Sequence, residues 1–202
     1  IGDYGKHKNI KADFLGYTRP LNGVENGPIM PLQEKWVITL STQYGCVMKC
    51  TFCDVPNIKF SGNVSFSDLK AQFYAGINAY DSVKYTDRLN IHFARMGEPV
   101  FNQDVLRFSE WLGEHKRQIQ DETGVRIEVI HPVFTTMCPD YKHTFNRIHE
   151  WVKIKNELFK GQAGLQISIN SSSEVQREQM FGGSSHTLID IAKNLENIQK
   201  PI

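Results

Sequence analysis

Three of the four cysteines, Cys46, Cys50 and Cys53, fall in one short run, Cys46-Val-Met-Lys-Cys50-Thr-Phe-Cys53. Thiolates spaced so closely can hold three irons of a cubane iron–sulfur cluster, whose cysteine ligands come in short-spaced runs. The fourth iron then lacks a protein ligand and is open to a small molecule. Such a cluster can deliver one electron to a bound sulfonium, which is the requirement of radical chemistry on S-adenosylmethionine. Zinc is the first competing reading. It wants four ligands, yet Cys138 is far along the chain and no histidine stands at knuckle spacing from the trio. A disulfide framework needs an oxidising compartment, and an odd trio pairs badly. The cluster explains the spacing best.

Something must position that loop. From Trp36 onward the chain alternates strand-like and helix-like stretches. Trp36–Ser41, Arg88–Phe93, Arg126–Phe134 and Gly164–Asn170 are rich in β-branched and aromatic residues and read as strands. Between them, helical spacing predicts helices from a Ser65 cap to Tyr80, from Asp104 to about Thr123 with Gly124 as its stop, and from about Tyr141 to Phe159. Shorter helices are expected at Glu174–Met180 and Thr187–Ile198. Strands alternating with helices imply βαβ crossovers and a parallel sheet, open or closed into a barrel. Residues 1–35 are rich in glycine and proline and read as a loop-rich extension, with short strands expected around Phe14–Thr18.

In parallel α/β architectures the ligand site lies at the carboxyl ends of the strands. Polar groups follow all four strands here. They are the cysteine loop, Arg95-Met-Gly97-Glu98-Pro99, Thr135-Thr136-Met137-Cys138 and Ser168-Ile-Asn170. Gly97 lets backbone approach a ligand, and the Glu98 carboxylate can accept hydrogen bonds from an ammonium group such as the methionyl amine of S-adenosylmethionine. The hydroxyls of Thr135 and Ser168 and the amide of Asn170 are candidate cofactor contacts, although each could equally cap a local turn. Ser171–Ser173 more simply caps the helix that begins at Glu174.

The cysteine spacing, with Phe52 directly before the last cysteine, resembles the CxxxCxΦC signature of radical S-adenosylmethionine enzymes. Together with Ser41-Thr-Gln-Tyr-Gly45 and Met96-Gly-Glu-Pro-Val-Phe-Asn102, it resembles the radical S-adenosylmethionine adenine methyltransferases of ribosomal and transfer RNA, the group that includes the chloramphenicol–florfenicol resistance methylase. The resemblance covers roughly residues 20 to 198. It implies a partial (β/α)6 barrel, of which about four strand–helix units are present, binding a [4Fe-4S] cluster through Cys46, Cys50 and Cys53. It also implies cofactor contacts from Gly97, Glu98, Phe52, Thr135, Ser168 and Asn170. The group carries a reactive cysteine seven residues before the first cluster cysteine, where this chain has Thr39. It carries a histidine in the fourth strand, where this chain has Asn170, and a methyl-carrying cysteine near its C-terminus, past Ile202. Cys138 is a candidate substitute thiol.

Composition narrows the class. With 23 basic and 22 acidic residues, the net charge of +1 gives no electrostatic case for a large nucleic-acid footprint. Neither a long apolar run nor a secretory signal is visible, and free cysteines beside an oxygen-sensitive cluster suit a reducing cytoplasm. The expected organisation is an extension over 1–35 and a radical core over 36–202, incomplete at its C-terminal end. Three readings are open. The first is a radical enzyme that cleaves S-adenosylmethionine to a 5′-deoxyadenosyl radical for hydrogen abstraction, fed by a flavodoxin- or ferredoxin-like electron donor. The others are an RNA adenine methyltransferase lacking its C-terminal part, and a non-enzymatic metal-binding module.

Overall fold

The computed structural model describes residues 31–199, so the strands expected around Phe14–Thr18 lie outside the described residues. Four strands form one parallel sheet: β1 (Trp36–Leu40), β4 (Tyr85–Phe93), β5 (Arg126–Thr136) and β6 (Gly164–Ile167), side by side in that order. A two-residue antiparallel pair, β2 (Gln43–Tyr44) with β3 (Gly62–Asn63), closes the base of the cysteine loop. The helices are α1 (Phe66–Asn78), α2 (Gln103–Glu114), α3 (Lys116–Thr123), α4 (Thr144–Phe159), α5 (Glu174–Met180) and α6 (Leu188–Leu195).

The strand order never reverses. Parallel crossovers are right-handed, so successive crossovers in one direction put their helices on the same face of the sheet. The burial pattern agrees with that arrangement. Trp36, Ile38 and Leu40 of β1, Leu89, Ile91 and Phe93 of β4, and Ile130 and Phe134 of β5 are buried in the core with Phe73 of α1, Phe108 of α2 and Trp151 of α4. Trp151 stacks on Phe134 at 5.5 Å between ring centroids and meets Phe93 edge-on at 6.5 Å. The intervening residues point to the opposite face, because side chains alternate along a strand. That second face carries Thr39, Asn90, His92, His131, Thr135 and Gln166.

Local signals set most helix ends. Ser65 accepts the Asp68 amide at 3.2 Å and opens α1. Ser173 caps α5 through the Gln176 amide, and Gly124, at φ +65°, ends α3. The single helix expected from Asp104 to Thr123 is two, broken at His115, whose φ and ψ are −113° and 24°. The imidazole Nδ1 of His115 lies 3.1 Å from the Trp111 carbonyl, so the break occurs where a side chain competes for a helical acceptor. The fourth strand is shorter than its sequence suggests. It stops at Ile167, where β5 ends beside it, which leaves Ser168 and Asn170 in the following loop.

Candidate active site

The carboxyl edge of the sheet is held together by Gln43. Its Oε1 accepts the backbone amides of Glu98 and of Val47, each at 3.3 Å, and its Nε2 donates to Asn63 at 2.9 Å. One side chain thus joins the loop after β4, the start of the cysteine run and the β3 strand. The amides of Thr42 and Gln43 both donate to the Met96 carbonyl, at 2.7 and 3.2 Å. Gly97 fits between these groups only because it has no side chain. Its φ is +99°, and a Cβ there would lie 2.6 Å from the Gln43 side chain and 2.7 Å from its backbone nitrogen. The sequence motifs Ser41–Gly45 and Met96–Pro99 are therefore two halves of one clamp.

Glu98 is buried at that clamp. Its Oε1 accepts the Val100 amide at 3.2 Å, and its Oε2 accepts the Met137 amide at 3.1 Å. Burial raises its carboxyl to about 7, against the opposing pull of the Thr136 hydroxyl and those two amides. The third-strand hydroxyl tied to Glu98 is therefore that of Thr136, which is buried. Thr135 is half-buried and donates instead to Gln166 at 3.3 Å.

Cys46 and Cys50 are half-buried and Cys53 is exposed. Burial raises the Cys46 thiol, and the carboxylate of Glu98 adds to the effect; the Met48 amide, 3.4 Å from its Sγ, works the other way. Burial carries Cys50 to about 11, reinforced by Cys46, Cys53 and Glu98. The three sulfurs therefore lie within electrostatic range of one another, and Cys46 and Cys50 within that of Glu98. Among the described residues no group of three or more histidine, cysteine, aspartate or glutamate side chains is close enough to hold a metal ion. In its chemistry the donor set, three soft thiols on one loop with an amide donor already at one sulfur, nevertheless fits an iron–sulfur group.

The remaining candidates separate. Phe52 is exposed and meets Phe181 edge-on at 5.8 Å. Ser168 is half-buried, and its amide donates to the Thr136 carbonyl at 2.8 Å. Asn170 is exposed at φ +61°, a left-handed conformation that asparagine tolerates. Cys138 is fully buried, and burial carries its thiol to about 12. Sequence reasoning did not single out Arg177. It is fully buried, and its guanidinium donates to the carbonyls of Ser168, Ile169 and His186. It therefore fixes the loop that carries Ser168 and Asn170. An arginine three residues into a capped helix looks like surface charge in sequence, so nothing in its spacing betrays the role.

The parallel four-stranded sheet with helices between its strands agrees with the α/β class that the resemblance implies. No family model matches the chain. Among curated proteins it is similar to the dual-specificity RNA methyltransferase RlmN of Solidesulfovibrio magneticus, at 27% identity over 165 residues, covering 80% of this chain and 42% of that relative. It is also 34% identical over 76 residues to a probable dual-specificity RNA methyltransferase RlmN of Chlorobium chlorochromatii, covering 38% of this chain and 20% of the relative. A third such protein, from Chlorobaculum tepidum, is 30% identical over 96 residues, or 48% of this chain and 25% of the relative. The chain thus spans less than half the length of these relatives. The similarities support the radical S-adenosylmethionine superfamily. No helix among the described residues is long and apolar enough to cross a membrane.

Proposed function

We propose that the chain carries the cofactor half of a radical S-adenosylmethionine enzyme. The observation that carries this reading is the buried Glu98, clamped by Gln43 and Met137 within electrostatic range of Cys46 and Cys50. When bound, a [4Fe-4S] cluster on Cys46, Cys50 and Cys53 supplies one electron for reductive cleavage of the cofactor to methionine and a 5′-deoxyadenosyl radical. Each of those thiols gives up its proton on binding, so loading releases protons and weakens in acid. Glu98, once ionised, accepts hydrogen bonds from the cofactor amine. Gly97 allows the backbone close approach, and Arg177 holds the Ser168 loop against the same ligand. The strand–helix units continue as a barrel, and a small one-electron protein of the flavodoxin or ferredoxin kind, in a reducing compartment, supplies the electron. The test is anaerobic reconstitution followed by quantification of 5′-deoxyadenosine under reduction. Cys50→Ala should lose both the visible absorption of the cluster and the product. Stoichiometric zinc without iron in the wild-type protein would sink the proposal.

A second reading, methylation of an RNA adenine, is favoured by the names of the similar proteins, each a dual-specificity RNA methyltransferase or a probable one. Thr39 stands where that group carries its reactive thiol, and Cys138 is a buried, protonated one. The two readings share the cofactor half and part at the substrate.

A further inference from the structure

The face of the sheet opposite the helices carries a set of polar residues that neither the cofactor nor the core uses. Arg88, Asn90 and His92 alternate along β4, and His131 faces Asn90 in register from β5. Lys35 directly precedes β1, one position before the Trp36–Leu89 pair, and therefore stands opposite Arg88. Arg88 donates through Nη2 to Nε2 of His131 at 2.8 Å, because a guanidinium has no acceptor. That bond leaves the neutral imidazole with its proton on Nδ1, a second donor.

Two observations, the second separate from the charges, show a local excess of positive charge and an unmet polar partner. Neither Lys35 nor Arg88 has a carboxylate within ion-pair distance among the described residues. Both imidazoles are held below their ordinary pKa, by burial first and then by those cations. His131 falls to about 4, with Arg88, His92, Lys35 and Lys155 all acting in the same direction and no acidic group opposing them. Asn90 is 5% exposed, and its Oδ1 is buried without a hydrogen-bond partner, which is costly unless something occupies it. Cations without a counter-ion around a buried, unpaired carboxamide describe a place for an anion that also carries a donor.

We infer that Lys35, Arg88, His131 and Asn90 form a binding site for a phosphate borne on a sugar, the phosphate taken by the cations and the imidazole, and a sugar hydroxyl donating to Asn90. Arginine and lysine are the usual partners of phosphate, and neutral hydroxyls match a lone carboxamide oxygen. The position suits a substrate anchor. His131 lies four residues before Thr135, roughly 13 Å along the strand at about 3.3 Å per residue. His92 stands in register between Thr39 and Val133, on the row between anchor and cofactor edge. A nucleotide unit held there reaches toward the radical site. As a substrate anchor the inference rests on the proposed radical chemistry; as a phosphate site it does not.

The test uses the full chain without cluster, cofactor or reductant, so failure of the radical chemistry cannot affect it. Imidazole NMR signals of His131 and His92 are tracked during titration with inorganic phosphate, with adenosine 5′-monophosphate and with a short single-stranded RNA. The expected result is a saturable shift of His131 with at least one of the two sugar-bearing probes, tighter than with inorganic phosphate. Arg88→Gln should weaken it about tenfold or more, a change of about 1.4 kcal/mol. Arg126→Gln, whose arginine pairs with Glu128 at the strand start, should leave it unchanged. Preference for the mononucleotide identifies a free nucleotide as the source, and preference for the oligomer identifies an RNA strand. Absence of any saturable shift up to the order of 10 mM, or equal affinity in Arg88→Gln, overturns the site. Arg88 is exposed, so its variant retains the fold, and an unchanged Tm verifies that.

Discussion

The carboxamide of Gln43 accepts the backbone amides of Glu98 and Val47, and through it the cysteine loop and the loop that carries the Glu98 carboxylate share one anchor. Two stretches 55 residues apart in sequence thereby form a single structural unit. Gln43→Leu leaves the Glu98 and Val47 amides and the Asn63 side chain without this partner. Each buried amide left unpaired costs about 1–3 kcal/mol, so a loss of several kcal/mol in stability is expected. Iron loading should fall together with cofactor affinity. A variant that lost only one of the two would show that the clamp is not shared. Thermal unfolding and iron analysis of the reconstituted protein decide it.

Gly97 and Gly124 both lie at positive φ, but only Gly97 is crowded. A Cβ at Gly124 meets open space, whereas one at Gly97 meets Gln43 backbone. Gly124→Ala should therefore cost only the left-handed penalty, about 1–2 kcal/mol. Gly97→Ala should cost clearly more and abolish cofactor binding, because backbone must move to admit the methyl group. Denaturant unfolding of the two variants in parallel makes the comparison, and equal costs would contradict the clamp geometry.

Glu98 gives a pH dependence with a definite sign. Its folded carboxyl holds a proton to about pH 7, against an ordinary value of 4.5. The folded state therefore binds more protons than the unfolded state across that window. The contribution to stability is complete below about 4.5 and is lost as pH rises toward 7. His131 acts the opposite way, since its folded pKa of about 4 lies below the unfolded 6.5, and its contribution is lost as pH falls through that range. The Glu98 effect is thus read as the difference between wild type and Glu98→Gln. In the same window affinity for the cofactor amine should rise with pH, by at most about tenfold per unit, and level off near 7. Glu98→Gln should remove that slope and weaken binding by roughly 1.5–3 kcal/mol with iron content unchanged. Equilibrium binding across pH measures both.

Arg177 acts through the backbone that it holds. Arg177→Met keeps an apolar stem of similar length but strands the Ser168, Ile169 and His186 carbonyls. Cofactor affinity is expected to fall about tenfold or more, at about 1.4 kcal/mol per tenfold. Cluster absorbance should stay normal, because the hydrogen bonds of this arginine go to Ser168, Ile169 and His186 and not to the cysteine loop. An unchanged dissociation constant would mean that Ser168 and Asn170 play no part in cofactor binding.

The repeated alternation of strand and helix was legible because each element carries its own period and caps. Ser65 and Gly124 sit where local chemistry alone predicts them. The cysteine trio was legible for the same reason, since its spacing lies within one loop. Gln43 and Arg177 were not, because their partners are backbone groups that only the tertiary fold brings near. The early end of β6 depends on the neighbouring strand, and Gly113, two residues before His115, is too weak a signal alone to place the helix break there. Strand parity separates Thr135, the expected contact, from its neighbour Thr136. A shift of one residue moves a side chain to the other face of a sheet, and the tie to Glu98 went to the buried one. The cations around His131 read as scattered charges until the register of three strands placed them on one face.

If the proposed cofactor cleavage holds, Thr39 limits the chemistry that can follow it. It is half-buried on the face opposite the helices, in register with His92 across the β1–β4 pair. A hydroxyl there is a far poorer nucleophile than a thiolate near neutral pH. On the proposed reading, the adenine-methylation route, which in the group this chain resembles uses a thiol here, is expected to stall at this position. Cys138 does not replace it, because its thiol is buried and pushed to about 12. Reconstituted full-length protein incubated with RNA should yield 5′-deoxyadenosine but no methyladenine by mass spectrometry. Thr39→Cys places a thiol in register with His92 and should yield methylated RNA rather than a trapped protein–RNA adduct, provided that the methyl-carrying cysteine is encoded downstream. Methyladenine formed by the wild type and retained in Cys138→Ala, with no downstream cysteine, would show that the reaction does not need a thiol at this position.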